Sequence, residues 1–282
     1  MNRILIFLIF AFFLSCSEAV YKYGYENGDI LIINRLDNYF DLNEQQEKFI
    51  ANEYQRFKAW HRRKQLPKYQ LILKKLSQSI TDDKFTAAYY QQTRKDLDKV
   101  RLELWAKLIP KMAQFMETLE PEQAKQYIEN MKDQTAEYQK YKKLSKSDRY
   151  QDRHAKTVEF IERISGPLNE TQVTSILEGM MQFGDPKLLW LEFREKRNTK
   201  LQALLLKRST AAEYSLFFQQ WYAGSPKPAT SFKSFQNRSQ SIFSGYQSIF
   251  VPLVSSFTQV QKDATRDNLQ SWIKILKNLQ AS

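Results

Sequence analysis

His61 and His154 are the only histidines of this 282-residue sequence, and their scarcity limits the catalytic chemistry that it could perform. Nucleophilic catalysis by serine or cysteine needs a nearby base, which is most often histidine. His61 is the better candidate, and a hydrolase of cell-wall or lipid material with His61 as its base is one hypothesis. However, His61 lies on the apolar face of an amphipathic helix, where a buried histidine with one hydrogen bond is the commoner occurrence. We therefore expect a non-enzymatic protein and assign no catalytic residue.

Metal and cofactor sites need residue patterns that this sequence lacks. Zinc sites cluster cysteine and histidine at short spacing, whereas the sequence has one cysteine and no two histidines near each other. Nucleotide sites need glycine-rich turns, and no Gly-x-Gly run occurs. We therefore predict no metal and no cofactor. The acidic pair Asp82 and Asp83 is expected to cap the start of a helix, and nothing in the sequence points to a glycosidase dyad.

The residues around His61 also support a second interpretation, a binding patch near a helix break. Aromatic and arginine side chains supply much of the binding energy when they cluster at an interface. Pro67 is expected to kink the helix or restart it close to this cluster. The predicted patch consists of Trp60, His61, Arg62, Pro67 and Tyr69.

Cys16, the only cysteine, indicates covalent attachment of lipid. It closely follows eleven apolar residues, Ile4–Leu14, which Arg3 precedes. Such a run is too short to span a bilayer, which takes about 20 residues, but it is typical of an export signal that is later removed. A lone cysteine has no disulfide partner. Its position matches the bacterial lipobox, in which the cysteine becomes the new N-terminus and carries acyl chains such as palmitate, although Phe13 stands where leucine is usual.

Ordinary cleavage after Ala19 is the alternative, because Ser17-Glu18-Ala19 fits the small-x-small rule. With lipid on Cys16, acyl chains add about 0.8 kcal/mol per buried methylene, which is enough for stable attachment. Serine after the cysteine favours the outer membrane, facing the periplasm. We therefore expect a signal peptide at 1–15, a lipid-anchored tether at 16–28, and a helical domain at 29–282 with a possible sub-division near 223–230.

The chain is strongly basic, with 43 Lys and Arg against 31 Asp and Glu and a formal net charge of +12. Loss of Arg3 with the signal leaves 42 cations against 31 anions, or +11. This charge favours contact with anionic surfaces such as lipid headgroups. Nucleic acid is not an expected partner, because the protein is expected to leave the cytoplasm. The expected partners are the membrane, through the acyl chains, and an envelope protein or an unfolded client.

The spacing of the apolar residues predicts an all-α fold. Apolar residues recur every three or four positions along most of the chain, and the alternation typical of strands is nearly absent. We expect a multi-helix antiparallel bundle or an irregular helical array after the signal peptide. The predicted helices span 29–40, 43–64, 68–77, 82–109, 121–144, 148–164, 169–181, 186–207, 211–222, 231–250 and 258–280.

A short pattern recurs along the chain: an apolar residue, a polar residue, two spacers and glutamine. A polar residue followed three positions later by glutamine is typical of a capping box at a helix start. Ordinary helix punctuation explains the recurrence by itself. The copies are Leu42–Gln46, Leu119–Gln123, Leu168–Gln172 and Phe257–Gln261, with a degenerate copy at Ile80–Lys84.

Three blocks of the sequence form a combined pattern. The first block runs from Asp37 to Leu42, and the second contains Trp60-His61-Arg62-Arg63 followed by Gln65-Leu66-Pro67-Lys68-Tyr69. The last is Gly166-Pro167-Leu168, preceded by Arg149 and Arg153. Together these blocks resemble an uncharacterised family of Gram-negative lipoproteins, although Gln65 stands where glutamate is common in that family. The resemblance implies an all-helical, lipid-anchored envelope protein and no established activity.

The recurring pattern also resembles the Leu-Thr-x-x-Gln motif of small periplasmic stress chaperones, which are helical and cradle unfolded clients. Asn43, Glu120 and Asn169 depart from the threonine of that motif. This resemblance implies a chaperone-like scaffold. The hypotheses are thus a helical binding or chaperone-like protein, a hydrolase that uses His61, and a purely architectural lipoprotein.

Overall fold

The computed structural model describes residues 18–223 and 230–282, and within these ranges it contains α-helices and no strand. The all-α prediction is therefore confirmed. Cys16 and the predicted signal peptide lie outside the described residues, as does most of the predicted linker at 223–230. The helices are α1 Glu18–Glu26, α2 Gly28–Phe40, α3 Glu44–Lys64, α4 Leu66–Thr81, α5 Ala87–Glu117, α6 Pro121–Lys143, α7 Lys146–Ser165, α8 Glu170–Met181, α9 Pro186–Leu206, α10 Ala211–Phe218, α11 Thr230–Ser255 and α12 Gln259–Ala281.

Most helix starts agree with the prediction because their capping residues are local in sequence. The four full copies of the recurring pattern each form a capping box, at the starts of α3, α6, α8 and α12. Pro67 lies in the first turn of α4, directly after the end of α3, and so restarts the helix as expected. Proline is well tolerated in the first turn, because the N–H groups there have no hydrogen-bond partner within the helix, whereas N–H groups in the interior do.

The predicted helix start at Asp82 is wrong, and so is the fifth copy of the pattern. Helix α4 continues to Thr81 and ends in a turn in which the Lys84 amide donates to the Ser79 carbonyl (2.7 Å). Asp83 has a left-handed backbone (φ 55°) that lets this turn close. A hydrogen bond of this kind, with a left-handed residue before its donor, terminates helices. The next helix begins at Ala87, where the Thr86 side chain accepts from the Tyr89 amide.

Two helices continue through prolines at which they were expected to stop. Helix α5 contains Pro110 and ends at Glu117, and helix α11 contains Pro252 and ends at Ser255. Both prolines are exposed, so water can bind the carbonyl that each proline leaves without a donor. In contrast, the helix predicted at 211–222 changes at Gln219 to a π-helical segment, Gln219–Ala223.

Residues 18–26 of the predicted tether are helical, and this helix α1 contacts α2 and α12. None of the helices in the described ranges is both long enough and apolar enough to span a membrane. The buried apolar residues form one large cluster, which includes residues before and after the 223–230 segment, such as Phe218 and Phe235. A small cluster of Tyr138, Tyr141 and Leu191 joins α6 to α9.

Two glycines let α11 approach its neighbours closely. A Cβ atom on Gly179 of α8 would overlap the Ile249 side chain, and one on Gly245 would overlap the Phe183 ring. Because no other residue lacks a Cβ atom, each position needs glycine. The Phe183 ring packs in turn on Tyr246, with 4.9 Å between ring centroids. These contacts set the position of α11 against α8 and the loop that follows it.

Candidate functional site

The predicted patch around His61 contacts α1. The His61 ring lies among Phe57, Tyr25 and Tyr69, with centroid distances of 5.5, 5.7 and 5.8 Å. Its Nδ1 shares a hydrogen bond of 2.9 Å with the Tyr25 hydroxyl. Burial lowers the pKa of His61 from 6.5 to about 4, so the ring is neutral near pH 7. The described contacts of His61 include no serine, cysteine or carboxylate, which favours a structural role over that of a catalytic base.

Arg62 joins the two ends of the described chain. Its Nε donates to the Leu279 carbonyl of α12 (3.0 Å), and its guanidinium binds the Glu26 carboxylate of α1. Lys58 binds the same carboxylate at 3.2 Å. The Tyr54 hydroxyl donates to the Tyr25 carbonyl. We call these contacts, made by Tyr25, Glu26, Tyr54, Lys58, His61 and Arg62, the α1 joint.

The remaining patch residues lie at the edge of the α1 joint. Trp60 is half-buried and contacts Phe57, at 5.7 Å between ring centroids. Pro67 is half-buried in the first turn of α4. The Tyr69 hydroxyl is buried without a hydrogen-bond partner among the described residues, and burial raises the pKa of this phenol. The structure therefore places His61 against Tyr25 of α1 and against Tyr69, and Trp60 contacts Phe57, which in turn contacts His61.

A cleft lies between α5, α7, α9 and α11, away from the predicted patch. Its volume is about 410 Å³, and most of its surface is apolar. Helix α11 supplies one wall with a stripe of aromatic and aliphatic side chains, and α7 and α9 supply the opposite side. The lining residues that matter below are Arg153, Thr157, Phe160, Lys187, Trp190, Ile242 and Phe250.

Arg153 is the most constrained cation of the cleft. Its side chain is 10% exposed, and its terminal nitrogens donate to the carbonyls of Met180 (2.8 Å) and Gly184 (3.3 Å). The guanidinium also lies 4.4 Å from the centre of the Tyr150 ring and 5.4 Å from that of Phe183. Its Nε is buried and has no hydrogen-bond partner among the described residues. The guanidinium of Arg153 is thus held in a fixed position at the cleft, and its Nε donor has no described hydrogen-bond partner.

Asp185 directly precedes the cleft residues Pro186 and Lys187. Its carboxylate caps α9 by accepting from the amides of Lys187 (2.9 Å) and Leu188 (3.1 Å). It also accepts from the Tyr141 hydroxyl (3.1 Å) and lies 3.2 Å from Arg149 Nε. Burial raises the pKa of Tyr141, and the nearby Asp185 carboxylate raises it further.

Lys187 and Trp190 are the further donors at the cleft. Lys187 Nζ lies 4.2 Å from the centre of the Tyr141 ring, a cation–π contact. Trp190 Nε1 is buried without a hydrogen-bond partner among the described residues. Within the described ranges, no group of His, Cys, Asp and Glu could hold a metal ion. The arrangement favours binding through apolar contact and a few donors, because no nucleophile and base are placed together among the described lining residues.

The chain matches a family model over residues 38–219, described as a family of unknown function. The chain belongs to DUF6279. This agrees with the resemblance to an uncharacterised family, while its lipoprotein character stays a prediction. No curated protein and no solved structure matches the chain, so the resemblance to stress chaperones also stays a prediction. The DUF6279 match includes the α7 and α9 sides of the cleft, whereas α1 and the α11 wall lie outside it.

The cleft could not be predicted from the sequence, because its residues come from helices far apart in the chain. Arg149 and Arg153 stand out in the sequence only through a family resemblance. The stripe Ile242, Tyr246 and Phe250 has helical spacing, and such a stripe predicts only a core face. The arginines and the apolar stripe were the one available signal, but the sequence does not show that they meet.

Proposed function

We propose that this protein is a non-enzymatic helical binding protein of the bacterial envelope, attached to the outer membrane by lipid on Cys16. The observation that carries the binding role is the aromatic cleft of about 410 Å³. Small-molecule sites are typically clefts of about 300–1,000 Å³ that are mostly apolar and hold a few well-placed polar groups. The cleft has a volume in this range, and its lining is mostly apolar with a few polar side chains.

The exposed face of α1 and α2 supports membrane attachment. Val20, Tyr23, Ile30 and Leu31 are each more than half exposed, and α1 begins two residues after Cys16. Apolar side chains at the headgroup level add to the binding energy of acyl chains. The α1 joint then determines how the body of the protein is held relative to this attachment.

Binding in the cleft is tested with the neutral fluorescent probe N-phenyl-1-naphthylamine and purified chain 17–282, which keeps every core residue that the structure describes. We expect saturable binding that Thr157→Trp abolishes, because the indole would fill the cleft. Thr199→Trp is the matched control: both threonine hydroxyls donate to the carbonyl four residues earlier, at 2.8 and 3.1 Å, but Thr199 is exposed. Equal probe binding by the Thr157→Trp and Thr199→Trp variants would show that the probe does not bind in the cleft.

Lipid attachment is tested separately in cells that are given radioactive palmitate. The wild-type protein should be labelled, and the Cys16→Ala variant should not. Label on the Cys16→Ala variant, or none on the wild type, would contradict the proposed anchor.

A further inference from the structure

We propose that the occupant of the cleft is a single hydrocarbon chain that ends in an anionic headgroup, and that Arg153 and Lys187 bind this headgroup. The inference rests on the proposed binding role of the cleft. It adds the chemical class of the ligand and the residues that select it.

The apolar lining favours a hydrocarbon chain over a peptide. A peptide carries an N–H donor and a C=O acceptor at nearly every residue, and burial of these groups without partners is costly. Along the cleft, Phe160, Trp190, Ile242 and Phe250 offer mostly apolar surface. A hydrocarbon chain needs no partners there and gains free energy from leaving water.

The charges at the cleft leave an excess of cations. Lys156 pairs with Asp152 at 2.7 Å. Asp185 is bound by Arg149, by Tyr141 and by the first amides of α9. Arg153 lies 4.0 Å from Asp185, at the limit of an ion pair, and the ring of Tyr141 is the described neighbour of Lys187 Nζ. An anionic headgroup would complement these two cations.

Unused donors give a second and independent reason. Arg153 is nine-tenths buried, and both its Nε and the Trp190 Nε1 lack a hydrogen-bond partner among the described residues. Buried donors without partners are uncommon and cost free energy. Headgroup oxygens are acceptors that would satisfy such donors, whereas a neutral hydrocarbon or a cationic amphiphile would not.

The test compares ligands that share one chain length: laurate, dodecyl phosphate, dodecanol and dodecyltrimethylammonium. Each competes with N-phenyl-1-naphthylamine for chain 17–282, below its micelle concentration. We expect laurate or dodecyl phosphate to bind about tenfold more tightly than dodecanol, with the cationic amphiphile weakest. Inorganic phosphate alone should not displace the probe, and the tighter anion identifies the headgroup.

Variants assign the preference to named residues. Lys187→Gln should remove most of the difference in affinity between the anion and dodecanol. Lys146→Gln is the matched control, because Lys146 also lies over a tyrosine ring (5.4 Å) but is not part of the cleft lining. Arg153→Gln should have the effect of Lys187→Gln, and circular dichroism checks that the variant remains folded, since Arg153 also binds two carbonyls.

The outcomes separate the two proposals. Equal affinity for dodecanol and both anions, or an unchanged preference in Lys187→Gln, would overturn the headgroup inference and leave the cleft as an apolar site. If the neutral probe does not bind in the cleft at all, the proposed binding function itself fails.

Discussion

Gln46 and Gln123 bind each other through their side-chain amides, with Nε2–Oε1 distances of 2.9 and 2.7 Å in the two directions. Each Oε1 also accepts from the backbone amide of its own capping residue. Each Nε2 also donates to a carbonyl, that of Thr118 or that of Asp41, at 3.0 and 2.9 Å. Every donor and acceptor of the two buried amides is therefore satisfied.

Gln172 and Gln261 repeat this arrangement, with distances of 3.1 and 3.0 Å. In both pairs, each Nε2 donates to the carbonyl that lies five residues before the partner glutamine; here these are the carbonyls of Ser256 and Pro167. The recurring pattern thus does more than start helices. It joins the starts of α3 and α6 in one place and those of α8 and α12 in another.

Gln46→Ala should lower the free energy of unfolding by about 2–4 kcal/mol, because it leaves the Gln123 amide buried without its partner and opens a capping box. Urea denaturation measures the change. Gln91→Ala is the matched control, since Gln91 also pairs with a glutamine, Gln247 at 3.1 Å, but on the surface. A loss in Gln46→Ala no larger than that in the control would show that the pairing is unimportant.

Gly245→Ala should destabilise the protein by about 1–3 kcal/mol, because the added methyl would overlap the Phe183 ring. Thermal unfolding measures the loss. Gly184→Ala serves as the control, since nothing lies within 4 Å of the position that its Cβ atom would take. Phe183→Leu, which gives more room, should partly restore Gly245→Ala. If Gly245→Ala leaves the thermal stability unchanged, this result would contradict the close approach of α11 to the Phe183 ring.

Acid should weaken the α1 joint through His61. Its folded pKa of about 4 lies below the ordinary value of 6.5, so the unfolded chain binds the proton more readily. The stabilisation from neutral His61 is complete above pH 6.5 and is lost as the pH falls to 4, by about 1–3 kcal/mol. Urea unfolding of wild type and His61→Phe at several pH values isolates this contribution. An identical pH dependence of the two proteins would contradict it.

Glu26→Gln should loosen α1, because it removes the carboxylate that binds both Lys58 and Arg62. A loss of about 1–2 kcal/mol corresponds to an increase of about 5- to 30-fold in the opened population. The rate of tryptic cleavage after Lys22 measures that population. Glu44→Gln, which removes the exposed pair with Lys48, should leave the rate unchanged. Equal rates in both variants would mean that the α1 joint does not hold the helix.

The positions of most helices could be predicted from the sequence, because helix periodicity and capping depend on residues only a few positions apart. Helix α6 is predicted at 121–144 and spans Pro121–Lys143, since Pro121 and Gln123 define its start. The helix start at Asp82 was wrong because of a local turn, whereas the helix ends predicted before Pro110 and Pro252 were wrong because of a long-range environment. Exposure of Pro110 and Pro252 allows α5 and α11 to continue, and exposure is a property of the fold.

The sequence by itself determined that the chain is helical, where the four capping boxes lie and that Cys16 has no partner cysteine. Only the tertiary structure decided that the capping glutamines join in pairs, that His61 packs against α1, and that Arg153 lies in one cleft with the stripe of α11. The reason is physical. A capping side chain bonds to backbone amides of its own helix start, so its partners lie a few residues away in the sequence. The hydrogen bonds between paired glutamines and the walls of the cleft depend instead on which distant helices pack together.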